Sequence, residues 1–108
     1  SGFAAGELLN VSNEEPFTDR PELVSLKQNY PNPFNPSTQI KYSVPKNTEV
    51  SIKVYNVLGE EVATLVDESM QPGNYQVRFD AGNLASGVYF YRLNAGSVQK
   101  TQKMMLIK

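Results

Sequence analysis

Gln28-Asn29-Tyr30-Pro31-Asn32-Pro33-Phe34-Asn35-Pro36-Ser37-Thr38-Gln39-Ile40-Lys41-Tyr42-Ser43-Val44 joins two kinds of chain at Ser37. The first part holds Pro31, Pro33 and Pro36, three of the seven prolines. Proline has no backbone donor, fixes its own φ and pushes the preceding residue toward extended conformations, so a helix is excluded and a stiff extended lead-in is predicted. The second part alternates Thr38, Ile40, Tyr42 and Val44 with Gln39, Lys41 and Ser43, the period of a strand with one face in a core. The lead-in carries no acid, base or thiol. Its chemistry is shape and amide hydrogen bonding, which points to packing or recognition.

Downstream the period stays two. Pro45-Lys46-Asn47 turns the chain, and Glu49 to Asn56 places Val50, Ile52 and Val54 on one side, so a hairpin with the preceding strand is the economical expectation. Leu58-Gly59-Glu60-Glu61 is a glycine turn leading to a strand over Val62 to Val66, and Asp67 to Gly73 reads as a longer loop. Tyr75, Val77 and Phe79 then alternate with Gln76, Arg78 and Asp80. Ala81 to Gly87 is a corner pinned by Leu84. From Val88 to Asn94 both parities are apolar, which predicts a strand covered on both faces or central in its sheet. Val98 to Lys108 is a last strand whose Lys100, Lys103 and Lys108 suit an edge protected against association. About seven strands spaced by roughly 8 to 12 residues, with no convincing helix, predict an all-β antiparallel two-sheet sandwich.

Upstream, residues 1–22 contain Asn13-Glu14-Glu15-Pro16 and Asp19-Arg20-Pro21, too polar to offset their own ordering, and read as a largely irregular linker. Phe3 to Leu9 is long enough for one helical turn or a strand laid on a neighbour. The sandwich is assigned to residues 23–108.

Composition removes most chemistry. The 108 residues include no cysteine and no histidine, so disulfides, thiolate or imidazole nucleophiles and the usual zinc sites are excluded. Ten basic and eleven acidic residues, spread through the chain, give a net charge of −1 and no footprint for nucleic acid or an anionic membrane. No apolar run reaches the roughly 20 residues that cross a bilayer, and no signal peptide opens the sequence. No enzyme activity, cofactor, metal, nucleic acid or membrane insertion is expected.

Two candidate sites remain to be weighed. Glu60, Glu61, Asp67, Glu68 and Asp80 form a calcium site only if they converge, and they lack the spaced acidic run of a dedicated loop. Tyr55, Tyr89, Phe90 and Tyr91 make a sugar-stacking platform if they share an exposed face, although aromatics at strand spacing are more often core and cross-strand pairs. Tyr89 follows a glycine corner at the start of a late strand, where a tyrosine hydroxyl ties back to the preceding loop as in a tyrosine corner.

From Leu26 to Lys108 the chain resembles the C-terminal sorting domains of proteins exported by the type IX secretion system of Bacteroidetes-type bacteria. The resemblance rests on Asn29-Tyr30-Pro31-Asn32-Pro33-Phe34-Asn35-Pro36, on Val54-Tyr55-Asn56-Val57-Leu58-Gly59-Glu60-Glu61-Val62, and on Leu84-Ala85-Ser86-Gly87-Val88-Tyr89-Phe90-Tyr91-Arg92-Leu93 with Lys103-Met104-Met105-Leu106-Ile107-Lys108. Tyr30, Pro31, Asn32, Pro33, Gly59, Gly87 and Tyr89 carry the motifs. It implies an Ig-like fold and an address label that follows an N-terminal passenger. It also implies passage through the periplasm, recognition by an outer-membrane translocon and removal by a sortase-type peptidase at the cell surface.

In that family the last strand is implicated in recognition, which here means Lys103, Met104, Leu106 and Lys108. A terminal edge strand presents unpaired backbone groups, so strand addition is expected, with Met104 and Leu106 or Met105 and Ile107 filling pockets. Glu14 to Leu26, extended and polar, is the expected cleavage region. Competing expectations are an appended carbohydrate-binding or spacer module of a secreted hydrolase, and a scaffold subunit like a flagellar hook cap.

Overall fold

The computed structural model describes residues 23–108. The expectations for the linker, for Phe3 to Leu9 and for most of the cleavage region fall outside them. Seven strands form: β1 (Ser25–Leu26), β2 (Ser37–Val44), β3 (Thr48–Tyr55), β4 (Glu61–Met70), β5 (Gly73–Asp80), β6 (Gly87–Ala95) and β7 (Val98–Leu106). One antiparallel sheet has the order β1-β2-β5 and the other β4-β3-β6-β7, giving an all-β sandwich. The described residues contain no helix.

Alternation builds the core directly. Ile40, Tyr42 and Val44 from β2 face Val50, Ile52 and Val54 from β3, with Tyr89, Tyr91 and Leu93 from β6 and Met104 and Leu106 from β7, all buried. Fully burying side chains of this size contributes about 1.5–3 kcal/mol each. β6 is central, between β3 and β7, as its apolar parities predict. Its second face is not covered, because Val88 and Phe90 are only half-buried. β7 lies at the sheet edge with Lys100 and Lys103 exposed.

Three expectations about connectivity and shape are corrected. The strands on either side of Pro45-Lys46-Asn47 are not a hairpin, for β2 pairs with β5 and β3 pairs with β4 and β6. A short turn between two half-buried strands serves a corner between sheets as readily as a hairpin, and period alone does not choose. The choice is made by distant partners, such as Tyr42 stacked on Tyr75 with ring centroids 5.6 Å apart. The loop expected from Asp67 is strand as far as Met70, because an edge strand tolerates Asp67, Glu68 and Ser69 pointing to solvent while its backbone pairs with β3. The lead-in is bent rather than straight: it pairs at Tyr30 with Gln39, turns, and pairs again at Phe34 with Leu106.

Tyr91 explains part of the packing between β6 and the segment that opens the sandwich. It is fully buried and its hydroxyl donates to the Lys27 carbonyl at 2.7 Å, tying β6 to the segment after β1. Burial pushes its pKa up to about 12 from 10.0, against a smaller lowering by a backbone hydrogen bond. The folded pKa lies above the unfolded one, so the associated stability is complete below pH 10 and is lost as pH rises toward 12. Alkaline titration of stability should show a decline beginning near pH 10, and Tyr91→Phe should flatten it. An equally steep decline in the variant would assign the effect to other groups.

Candidate functional site

The motif residues are scattered in sequence, but register gathers them at one end of the sandwich. β3 finishes at Tyr55 opposite Phe90, β6 begins at Gly87 opposite Leu106, and Phe34 bridges to Leu106. Residues 28–36, the corner 81–87 and the tail 103–108 meet there, and the turn 56–60 lies at the same end.

The proline segment acts as a clasp on the last strand. Phe34 is 2% exposed and packs against Phe79 at 6.1 Å between ring centroids. Its N–H donates to the Met105 carbonyl at 3.0 Å, and its own carbonyl accepts from Ile107 N–H at 2.9 Å. Asn32 Oδ1 accepts from Met105 N–H at 3.0 Å, and Gln28 Nε2 donates to the Lys103 carbonyl at 2.7 Å. The clasp is held in shape by buried Asn29, whose Nδ2 donates to the Pro31 carbonyl and to Thr38 Oγ1, each at 3.0 Å. Thr38 Oγ1 donates to the same Pro31 carbonyl at 2.8 Å. A buried amide with partners of this kind is costly to remove, because the groups left behind have no water to turn to.

This geometry changes the expected mode of reading the tail. The outward backbone groups of Lys103, Met105 and Ile107 are engaged by the clasp, so strand addition there requires its displacement. Met104 and Leu106 are 1% and 0% exposed and fill the core, not a partner's pocket. Met105 and Ile107, 41% and 50% exposed, are the pair that the folded unit presents. Met105 lines a cleft of about 170 Å³ with Asn32, Pro33, Lys103 and Met104. Tyr30 stands out to solvent at 81% exposure.

Lys108 is turned back onto the corner. Its Nζ donates to the carbonyls of Gly82 and Leu84 at 2.7 and 3.0 Å, and its N–H donates to Ser86 Oγ at 3.0 Å. The same corner is fixed from inside by Tyr89, whose hydroxyl donates to the Ala85 carbonyl at 2.7 Å. This is the tie expected of a tyrosine corner. Tyr89→Phe should lower stability by about 1 kcal/mol, the net worth of one such bond. Unchanged urea denaturation would show that the hydroxyl is served equally well by water.

The other candidates do not assemble. Tyr89 and Tyr91 are buried, so the four aromatics share no exposed face; Tyr55 and Phe90 remain, cross-strand neighbours with the Arg92 guanidinium 5.1 Å from the Tyr55 ring centre. Asp67 lies on β4 opposite Ser51, whereas Asp80 lies on β5 opposite Ser37 in the other sheet. Glu61 pairs with Lys53 at 3.5 Å, and Asp80 Oδ1 accepts from Gly82 N–H at 3.0 Å. No group of acidic residues suited to a metal ion occurs among the described residues. In the expected cleavage region Ser25 and Leu26 pair with Ser43 and Tyr42, and Leu26 is buried, so this end of it is not an accessible extended chain.

Sequence reasoning missed Phe34, which holds the clasp to the tail, and Asn29, which holds the clasp in shape. A lone aromatic among prolines was a signal for the first; nothing in the pattern marked the second.

A family model described as a secretion system C-terminal sorting domain matches residues 28–108. The match begins where the clasp begins and takes in all four segments of the site. No curated protein matches the chain.

Proposed function

The chain belongs to the family of type IX secretion C-terminal sorting domains, and from that premise we propose that its folded end, where clasp and tail meet, is the surface the export machinery reads. The family is not a catalytic one. A sorting signal implies a passenger, the secretion machinery and export to the cell surface or beyond.

The observation that carries the finer reading is the seam itself. Asn32 and Pro33 from one end of the matched region and Lys103 and Met105 from the other line one cleft, and Ile107, two residues beyond Met105, is exposed. Recognition of this seam selects a folded label and not a loose peptide, because an unfolded chain has no seam. Lys103 supplies a charge on the outer face, and Lys108 acts by locking the tail to the corner. Met104 and Leu106 contribute by holding the strand in place.

The translocon reads the label on the periplasmic side of the outer membrane. A sortase-type peptidase then separates it from the passenger at the cell surface. With Ser25 and Leu26 paired into the sheet, the bond cleaved lies before Ser25. The test is a fusion of a periplasmic reporter to the N-terminus of this chain in a bacterium with an active type IX system. Surface display, with a new reporter terminus that mass spectrometry places before Ser25, is expected. A reporter retained in the periplasm would overturn the reading, and a cut inside the sandwich would overturn its account of cleavage.

A further inference from the structure

Val57 and Leu58 are 68% and 78% exposed, and neither belongs to the core or packs against it. A hairpin tip has no folding need for two adjacent large apolar side chains; polar turn residues serve it better. Yet the turn that carries them is closely tied. Asn56 Oδ1 accepts from Leu58 N–H at 2.9 Å and from Glu60 N–H at 3.0 Å, while Asn56 Nδ2 donates to Glu60 Oε1 at 2.8 Å. Asn56 N–H donates to the Glu60 carbonyl and Gly59 N–H to the Asn56 carbonyl, both at 3.0 Å. Gly59 takes φ +84°, open to glycine at little cost, and completes the turn.

We propose that Val57 and Leu58 form a preformed apolar plug that enters a basic-rimmed apolar pocket on a protein of the export machinery. This rests on the sorting reading above and adds a second contact to it. The shape is convex and fixed before binding, which suits a concave pocket and avoids most of the ordering cost of association. The charge beside it selects the occupant. Glu60 is exposed two residues beyond Leu58, and Glu61, which pairs with Lys53 at 3.5 Å and accepts from Thr64 Oγ1 at 2.8 Å, follows it, so the charge beside the plug is acidic, which disfavours an anionic lipid surface and matches a basic rim.

Position agrees with a shared partner. β6 alone separates β3 from β7, so the tip and the tail lie roughly 10 Å apart across the sheet, at about 4.8 Å per strand. That fits within one ordinary interface of about 800 Å² per side.

The test uses the reporter fusion with the whole chain. Val57→Ser with Leu58→Ser should leave the thermal midpoint within the small range of surface substitutions and reduce surface delivery about tenfold or more. Val57→Ile with Leu58→Met should deliver like the parent. Glu60→Gln, which keeps an acceptor for Asn56 and removes the charge, should also reduce delivery. Parental delivery by the double serine variant, with a tail-seam variant failing in parallel, would overturn the plug and leave the sorting reading standing. Failure of the parent fusion itself would overturn both. Binding to vesicles of phosphatidylcholine and phosphatidylglycerol that disappears in the double serine variant would overturn the protein pocket in favour of lipid.

Discussion

Phe34→Ala is expected to lower the stability of the folded unit by about 3–5 kcal/mol, the range for truncating a buried phenylalanine. The ring is 2% exposed, and its loss removes the contact with Phe79 as well as the anchor of the clasp. Domains of this size have about 5–15 kcal/mol in total, so much of the margin goes with one side chain. A second signature separates this from an ordinary cavity. Met105 and Ile107 N–H groups donate to Asn32 and Phe34, so their hydrogen exchange should accelerate in the variant more than that of β3 amides. A denaturation midpoint close to the parent's, with Met105 still protected, would show that the clasp is held by something other than Phe34.

Removal of Lys103 to Lys108 is expected to abolish cooperative unfolding. From the sequence, this tail reads as an appendage whose loss spares most of the fold. The structure contradicts that, because Met104 and Leu106 are buried and Gly87, Val88, Tyr89 and Phe90 of β6 pair with residues 103–106. Each of the two apolar side chains is worth about 2–5 kcal/mol when truncated, and the clasp loses its partner besides. A sharp thermal transition in the truncated chain, near that of the parent, would refute this. Failure of such a truncation to be delivered says little about recognition, since an unfolded label and an unread one behave alike.

What the sequence made legible, and what it did not, follows from the range of the interactions. Period-two alternation is local, so β2, β3 and β5 are readable from Ile40, Ile52 and Phe79 and their neighbours, β6 from its apolar run around Tyr91, and β7 from its lysines. The tie of Tyr89 to Ala85 spans four residues and was readable for the same reason. Pairing is not local. Whether β2 turns back on itself or crosses to the other sheet depends on Tyr42 meeting Tyr75, which no pattern near Pro45 encodes.

The site shows the same division. Motif residues such as Tyr30, Gly59 and Gly87 were identified, but their assembly at one end was not, since it is made by register between distant strands. Alternation marked Met104 and Leu106 as one face of the last strand and Met105 and Ile107 as the other without saying which faces inward. The inward pair is Met104 and Leu106, the pair that the resemblance implicates in recognition. Phe34 acts over 71 residues through Met105, beyond the reach of any window along the chain, and Asn29 acts over nine residues through a Thr38 hydroxyl that alternation does not mark.

The central claim is that a folded seam, not a linear tail, is read. Lys103→Glu, Met105→Ser and Ile107→Ser together change only exposed side chains of the tail and leave Met104, Leu106 and the clasp in place. Surface delivery of a reporter fused to this triple variant, measured beside its thermal midpoint, is the direct test. The prediction is a midpoint close to the parent's and delivery reduced about tenfold or more. Delivery at the parental level by the intact triple variant would contradict the account.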